Sequence, residues 1–99
     1  MAYNIIMGEF AKEDIQVAYD HYEDEKMGLG EEFLNELLKR FDVLSDKPHN
    51  YGFIDNQAII RDVKIDRFPY VIVFDIIGDK VVVHAVHCTY KHPKRRLRD

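Results

Sequence analysis

Cysteine is almost absent: Cys88 is the one thiol among 99 residues, so no internal disulfide can form. That suits a reducing compartment. No apolar run approaches the ~18 residues that cross a bilayer, so no membrane helix is expected. Met1 to Phe10 lacks a basic stretch followed by an apolar one, so no secretory leader is expected and the cytoplasm is the expected compartment. Repeats, linkers and low-complexity segments are missing too. A chain of 99 residues has too little apolar surface for two cores, and residues 1–99 are read as one domain.

Basic charge is scarce along most of the chain. Lys91, Lys94, Arg95, Arg96 and Arg98 put +5 on the tail, Asp99 is −1, and the net charge is −4, which leaves −8 on residues 1–90. An acidic body repels phosphate, which excludes general nucleic-acid binding over the whole surface. Hydrophobic residues at 46% and charged residues at 32% exclude disorder and are enough for one modest core.

What is present is a change of period. Tyr3, Ile5 and Met7 alternate with their neighbours as a short strand ended by Gly8. From Phe10 the period becomes helical, with Ile15, Ala18, Tyr19 and Tyr22 on one side. Gly28 is placed to end that helix as a left-handed C-cap. A second helix is predicted from Glu31, with Phe33, Leu34, Leu37, Leu38, Phe41 and Leu44 as its apolar stripe. Lys47–Gln57 reads as a loop. Three strands follow, Ala58–Ile65, Tyr70–Ile77 and Lys80–Cys88, the last two joined by a hairpin turn with Gly78 at positive φ. The order is β-α-α-β-β-β, an α+β fold with a helical hairpin packed on a mainly antiparallel four-stranded sheet. The stripe is expected against Val73 and Val82 or their strand neighbours.

Four segments in this order resemble the RelE/ParE superfamily of type II toxin–antitoxin toxins. Asp14-Ile15, Ala18 and Tyr19–Tyr22 are similar to its opening helix. Gly28-Leu29-Gly30-Glu31-Glu32-Phe33-Leu34 resembles its interhelix segment. Arg61, Val63, Ile65 and Arg67-Phe68-Pro69-Tyr70 resemble the run into its central strand. Ala85 to Lys94 resembles its closing element, with departures: aligned on Pro93, Cys88 stands in place of the usual histidine, His87 in place of an aromatic, and Lys91 in place of an arginine.

The superfamily holds two functional classes, and the resemblance leaves both open. RelE-like members cleave mRNA on the ribosome; ParE-like members, including the plasmid-stabilisation branch, poison DNA gyrase without cutting RNA. Cleavage at a 2′-hydroxyl needs a base, cations for the phosphorane and an acid for the leaving oxygen. The candidates here are Lys64, Arg67, Lys91 and Tyr90 or His92. Against them, Tyr70–Phe74 carries no basic residue, Asp62 shares a face with Lys64, and Leu97 stands where a RelE-like tyrosine belongs. The resemblance therefore implies a ParE-like toxin that binds an essential target, DNA gyrase, and is neutralised by a cognate antitoxin. The alternatives are a ribosome-dependent endoribonuclease and a non-toxic binding module.

Lys91, Lys94, Arg95 and Arg96 are the residues expected to bind target or antitoxin, beside an apolar groove along the helical hairpin. His84 and Cys88 share a strand face but lie about 13 Å apart at strand rise, too far for one zinc, so no metal site is expected, and no cofactor. Arg61 has core parity and is expected to lean over the core or pair with an acid. Cys88 is expected as a small buried hydrophobe. Tyr19 and Tyr22 are expected to pack helix against sheet.

Overall fold

The computed structural model describes residues 3–90. Its elements are β1 (Asn4–Met7), α1 (Glu9–Glu25), α2 (Leu29–Asp46), a 3-10 turn (Pro48–Asn50), β2 (Arg61–Lys64), β3 (Tyr70–Ile77) and β4 (Lys80–Cys88). This is the expected β-α-α-β-β-β order, two helices on a four-stranded, mostly antiparallel sheet. The strands lie in the order β1-β4-β3-β2, and only β1 runs parallel to its neighbour. The helical hairpin makes that possible, because a parallel return needs a long crossover.

The hairpin turns at Lys26–Gly28. Gly28 is left-handed, at φ 90, as its position suggested, but it caps the start of α2 and not the end of α1; α1 ends on Lys26 in extended conformation. The second helix thus begins two residues earlier than the charge pattern implied. The cause is Glu23, whose carboxylate accepts the amides of Gly28 and Gly30, each at 3.0 Å. An anion there satisfies donors the helix cannot use and meets the positive end of its dipole. Gly30 is also needed for space: a Cβ would stand 2.9 Å from the Tyr19 ring and from Glu23 Oε1.

Phe33, Leu37 and Leu44 of α2 and Ala11 and Ala18 of α1 are buried against Ile72, Phe74, Val81 and Val83. The stripe meets the strand neighbours of Val73 and Val82, while those two valines belong to the other parity and are only half-buried. Two stripe members, Leu34 and Phe41, are half-buried and Leu38 is 61% exposed. Each residue turns about 100° around the helix axis, so a six-residue stripe is wider than the contact with the sheet. At the Arg67–Tyr70 end, Tyr22, Phe33, Phe68 and Tyr70 form an aromatic cluster with centroids 4.9–6.1 Å apart. Tyr22 does pack helix to sheet, whereas Tyr19 packs helix to helix, its hydroxyl donating to Glu31 at 3.2 Å.

One strand prediction needs correction. The first strand after the loop begins at Arg61 and not at Ala58, because Asp55 Oδ1 accepts the amides of Ile59 and Ile60, both at 3.0 Å, and Ala58 adopts φ 57. Those amides are thereby withdrawn from any ladder. In β4 the register slips, since Val73 pairs with Ala85 but Phe74 pairs with Val83. His84 is the extra residue of this bulge, and past it the core parity passes to Val86. Asp14 on α1 accepts the Val86 amide at 2.9 Å and so ties the helix to the strand.

Candidate functional site

Beside the hairpin lies the apolar groove that the sequence suggested. It has a volume of about 730 Å3 between α2 and β1, and Ile5, Leu38, Phe41 and Ser45 are among the residues lining it. Leu38, surplus to the core, stands here as an exposed apolar wall. The rim is polar, with Asn35, Lys39 and Asp42. One side of the groove is the sheet edge. Asn4 and Gly8 donate their amides towards β4, to Asp79 and Val83, both at 2.9 Å, so by strand alternation the amides of Ile5 and Met7 point away from the sheet. At the head of the strand the Tyr3 amide turns outward too, bonding Ser45 O at 3.0 Å. An apolar trough alongside outward-pointing strand amides can receive a peptide through both backbone bonds and side-chain burial.

The cationic candidates are not gathered at one place. Arg67 sits in left-handed conformation, φ 73, and its guanidinium reaches α2, at 2.6 Å from Glu32 and 3.5 Å from Glu36. The bond it donates to Glu32 raises its already high pKa. Glu36 is 5% exposed and holds Lys39 as well, at 3.3 Å. A buried carboxylate of this kind needs its cations, which commits Arg67 to structure. Lys64 lies on the face of the sheet away from the helices, in a row with Val71 and His87, and the next row is Asp62, Val73 and Ala85. Arg67 and Lys64 therefore serve opposite sides of the sheet. Tyr90 is 84% exposed just past β4. Lys91, His92, Lys94, Arg95 and Arg96 lie outside the described residues.

Several arrangements were missed. His84 Nε2 meets Asp75 Oδ1 at 3.2 Å, a pair made by the bulge; the parity change between Val81–Val83 and Ala85–Val86 was its sequence signal. Among the described residues Arg61 pairs with no acid: Nη1 donates to the carbonyl oxygens of Tyr51 and His49, and Cζ lies 3.9 Å from the Phe53 ring centroid. Cys88 is half-buried beside Tyr70, its strand partner. Burial pushes the phenols of Tyr70 and Tyr22 up, the neighbouring Cys88 thiol adding to both. Among the described residues no group of three or more metal-ligating side chains converges, and no helix is long and apolar enough to cross a membrane.

Comparison with known proteins places this geometry in context. No family model matches the sequence, and no curated protein does. A solved structure does match: a chain described as "Chromosomal ParDE TA system from P. aeruginosa", with a TM-score of 0.76. The likeness covers 88% of this chain and 96% of that one at 15% sequence identity, so this protein has the fold of a chain from that ParDE system.

Proposed function

We propose that this chain is the toxin of a type II toxin–antitoxin pair, acting in the cytoplasm as a ParE-like protein that binds an essential target, DNA gyrase, and performs no chemistry of its own. The observation that carries this reading is the likeness in fold to a ParDE chain across nearly the whole of both molecules. The site supports it. The groove along α2 and β1 suits a partner that folds on binding, such as a disordered segment of a neutralising antitoxin. The placement of Arg67 against Glu32 and Glu36 supports a non-enzymatic action, because it withdraws one of the cations a nuclease would use. Residues 1–99 act as one domain in this reading, and Lys91, Lys94, Arg95 and Arg96 face the target or the antitoxin.

The test is induced expression in a bacterial host, with DNA supercoiling, the DNA-damage response and translation followed separately. Growth arrest with relaxed DNA and intact mRNA is expected, relieved by co-expression of the neighbouring reading frame. Codon-dependent mRNA cleavage lost on Lys64→Ala would establish the ribosome-dependent nuclease instead. No arrest and no binding to the neighbouring product would leave a non-toxic binding module.

A further inference from the structure

The sheet has β1 at one edge and β2 at the other, and the two edges are guarded differently. Three of the four residues of β2, Arg61, Asp62 and Lys64, are charged, and Phe53 bridges Arg61 from outside. Asn4-Ile5-Ile6-Met7 of β1 holds no charge, no proline and no bulge. An edge strand without such guards is a template for another strand. Its open groups are those of Ile5 and Met7, since Asn4 and Gly8 turn their amides to β4. In a strand the N–H and C=O of one residue point the same way, so Ile5 offers one donor and one acceptor on the outer side. A second Ile5, set antiparallel across a two-fold axis, matches both: each amide meets the other's carbonyl. The same register brings Met7 opposite Tyr3 of the second copy.

The groove beside β1 matches itself in the same way. Ile5 lines it together with Leu38, Lys39 and Asp42 of α2. A two-fold axis at Ile5 runs two copies of α2 antiparallel, so the Lys39 end of one helix approaches the Asp42 end of the other. Leu38, 61% exposed, then gains an apolar neighbour across the axis. The Lys39 side chain is 70% exposed, and Glu36 engages one of its three donors. An interface between identical copies requires a patch that complements itself, and opposite charges beside one apolar wall do so. A wholly acidic or wholly basic partner would leave Lys39 or Asp42 unmatched.

We infer that the β1 edge and the groove along α2 form a homodimer interface, in which Asn4–Met7 of two copies pair antiparallel and join two four-stranded sheets into one. The inference needs no toxicity and stands without the toxin reading. On that reading it adds a regulation: a second copy covers the strip that an antitoxin would occupy, so the two compete.

Sedimentation equilibrium of the full chain tests it. Because the contact is small, monomer should dominate at about 1 µM and dimer at about 300 µM. Over the same range, hydrogen exchange at the Ile5 and Met7 amides should slow several-fold while the β2 amides are unchanged. A cross-link fixes the register. Asn4 of one copy faces Ile6 of the other at a non-hydrogen-bonded pair, where Cα atoms stand about 4.5 Å apart. Both positions are exposed, so cysteine there leaves the core intact. An Asn4→Cys chain mixed with an Ile6→Cys chain, each also carrying Cys88→Ala, should form the mixed disulfide at least tenfold faster than either chain bridges to itself. Like positions lie two residues out of register, beyond the reach of a disulfide. A chain that stays monomeric throughout, a dimer whose Ile5 and Met7 amides exchange freely, or a mixed disulfide no faster than the self-disulfides would each overturn the inference.

Discussion

Glu23 is a residue whose sequence position hides its task. It belongs to α1, yet its two carboxylate oxygens hold the first amides of α2. Replacing it by alanine should cost about 1–2 kcal/mol, the loss of a helix cap and its charge, readable in urea unfolding as a lower midpoint with unchanged slope. Glutamine should recover part of that loss, since it keeps one acceptor. Nothing in the sequence around Glu23 marks this role, because a cap five and seven residues upstream of the amides it serves has no short motif. Asp55 was hidden in the same way, and the strand predicted from Ala58 was too long for that reason.

Titration adds a second residue-scale expectation. The folded protein raises the pKa of Tyr70 and Tyr22, mainly through burial. A raised phenol contributes stability that is full below its unfolded pKa, about 10, and is lost as pH climbs from there towards the folded value. Melting temperature should therefore fall above about pH 10, and a Tyr70→Phe variant should show a shallower fall. An equal alkaline fall in the variant would assign the loss to other groups.

At the scale of elements, the helical hairpin was the most legible part. Phe33, Leu37 and Leu44 repeat at helical spacing and are buried as that spacing demands. Phe33→Ala should cost about 3–5 kcal/mol, because it empties space in contact with Phe68 and Tyr70. Leu38 carries the same hydrophobicity, and nothing in the local pattern separates it from its neighbours. It is the width of the underlying sheet that decides, and width is a tertiary property. Leu38→Ser should accordingly leave stability within about 0.5 kcal/mol. On the proposed function it should weaken antitoxin binding by an order of magnitude, about what losing one buried apolar contact implies. Calorimetry of the complex beside a melting curve of the free chain separates the two effects. The bulge at His84 was less legible, since it is set by pairing with β3 and by the tie from Asp14 to Val86.

For the molecule as a whole, charge is distributed unevenly, −8 on residues 1–90 against five cations on residues 91–98. If the tail meets an acidic partner, changing Lys94, Arg95 and Arg96 to glutamate should slow association and flatten its dependence on salt, since exposed charges act over only ~8 Å at physiological ionic strength. On the proposed function, stopped-flow association with the antitoxin at two salt concentrations measures this. Equal rates at low salt would remove the tail from the encounter.

The parallel pairing of β1 with β4 carries a consequence for synthesis. Asn4 to Met7 are made long before their partners, Lys80 to Val83. Contacts so distant in sequence form slowly and close late. While the ribosome is still adding β3, the hairpin has only part of its sheet to cover, and Phe33 and Leu37 lack Val81 and Val83. A nascent chain halted before residue 80 leaves β1 without its ladder. The sheet edge that β1 forms, and the groove beside it, are thus assembled only after Lys80 to Val83 have been made.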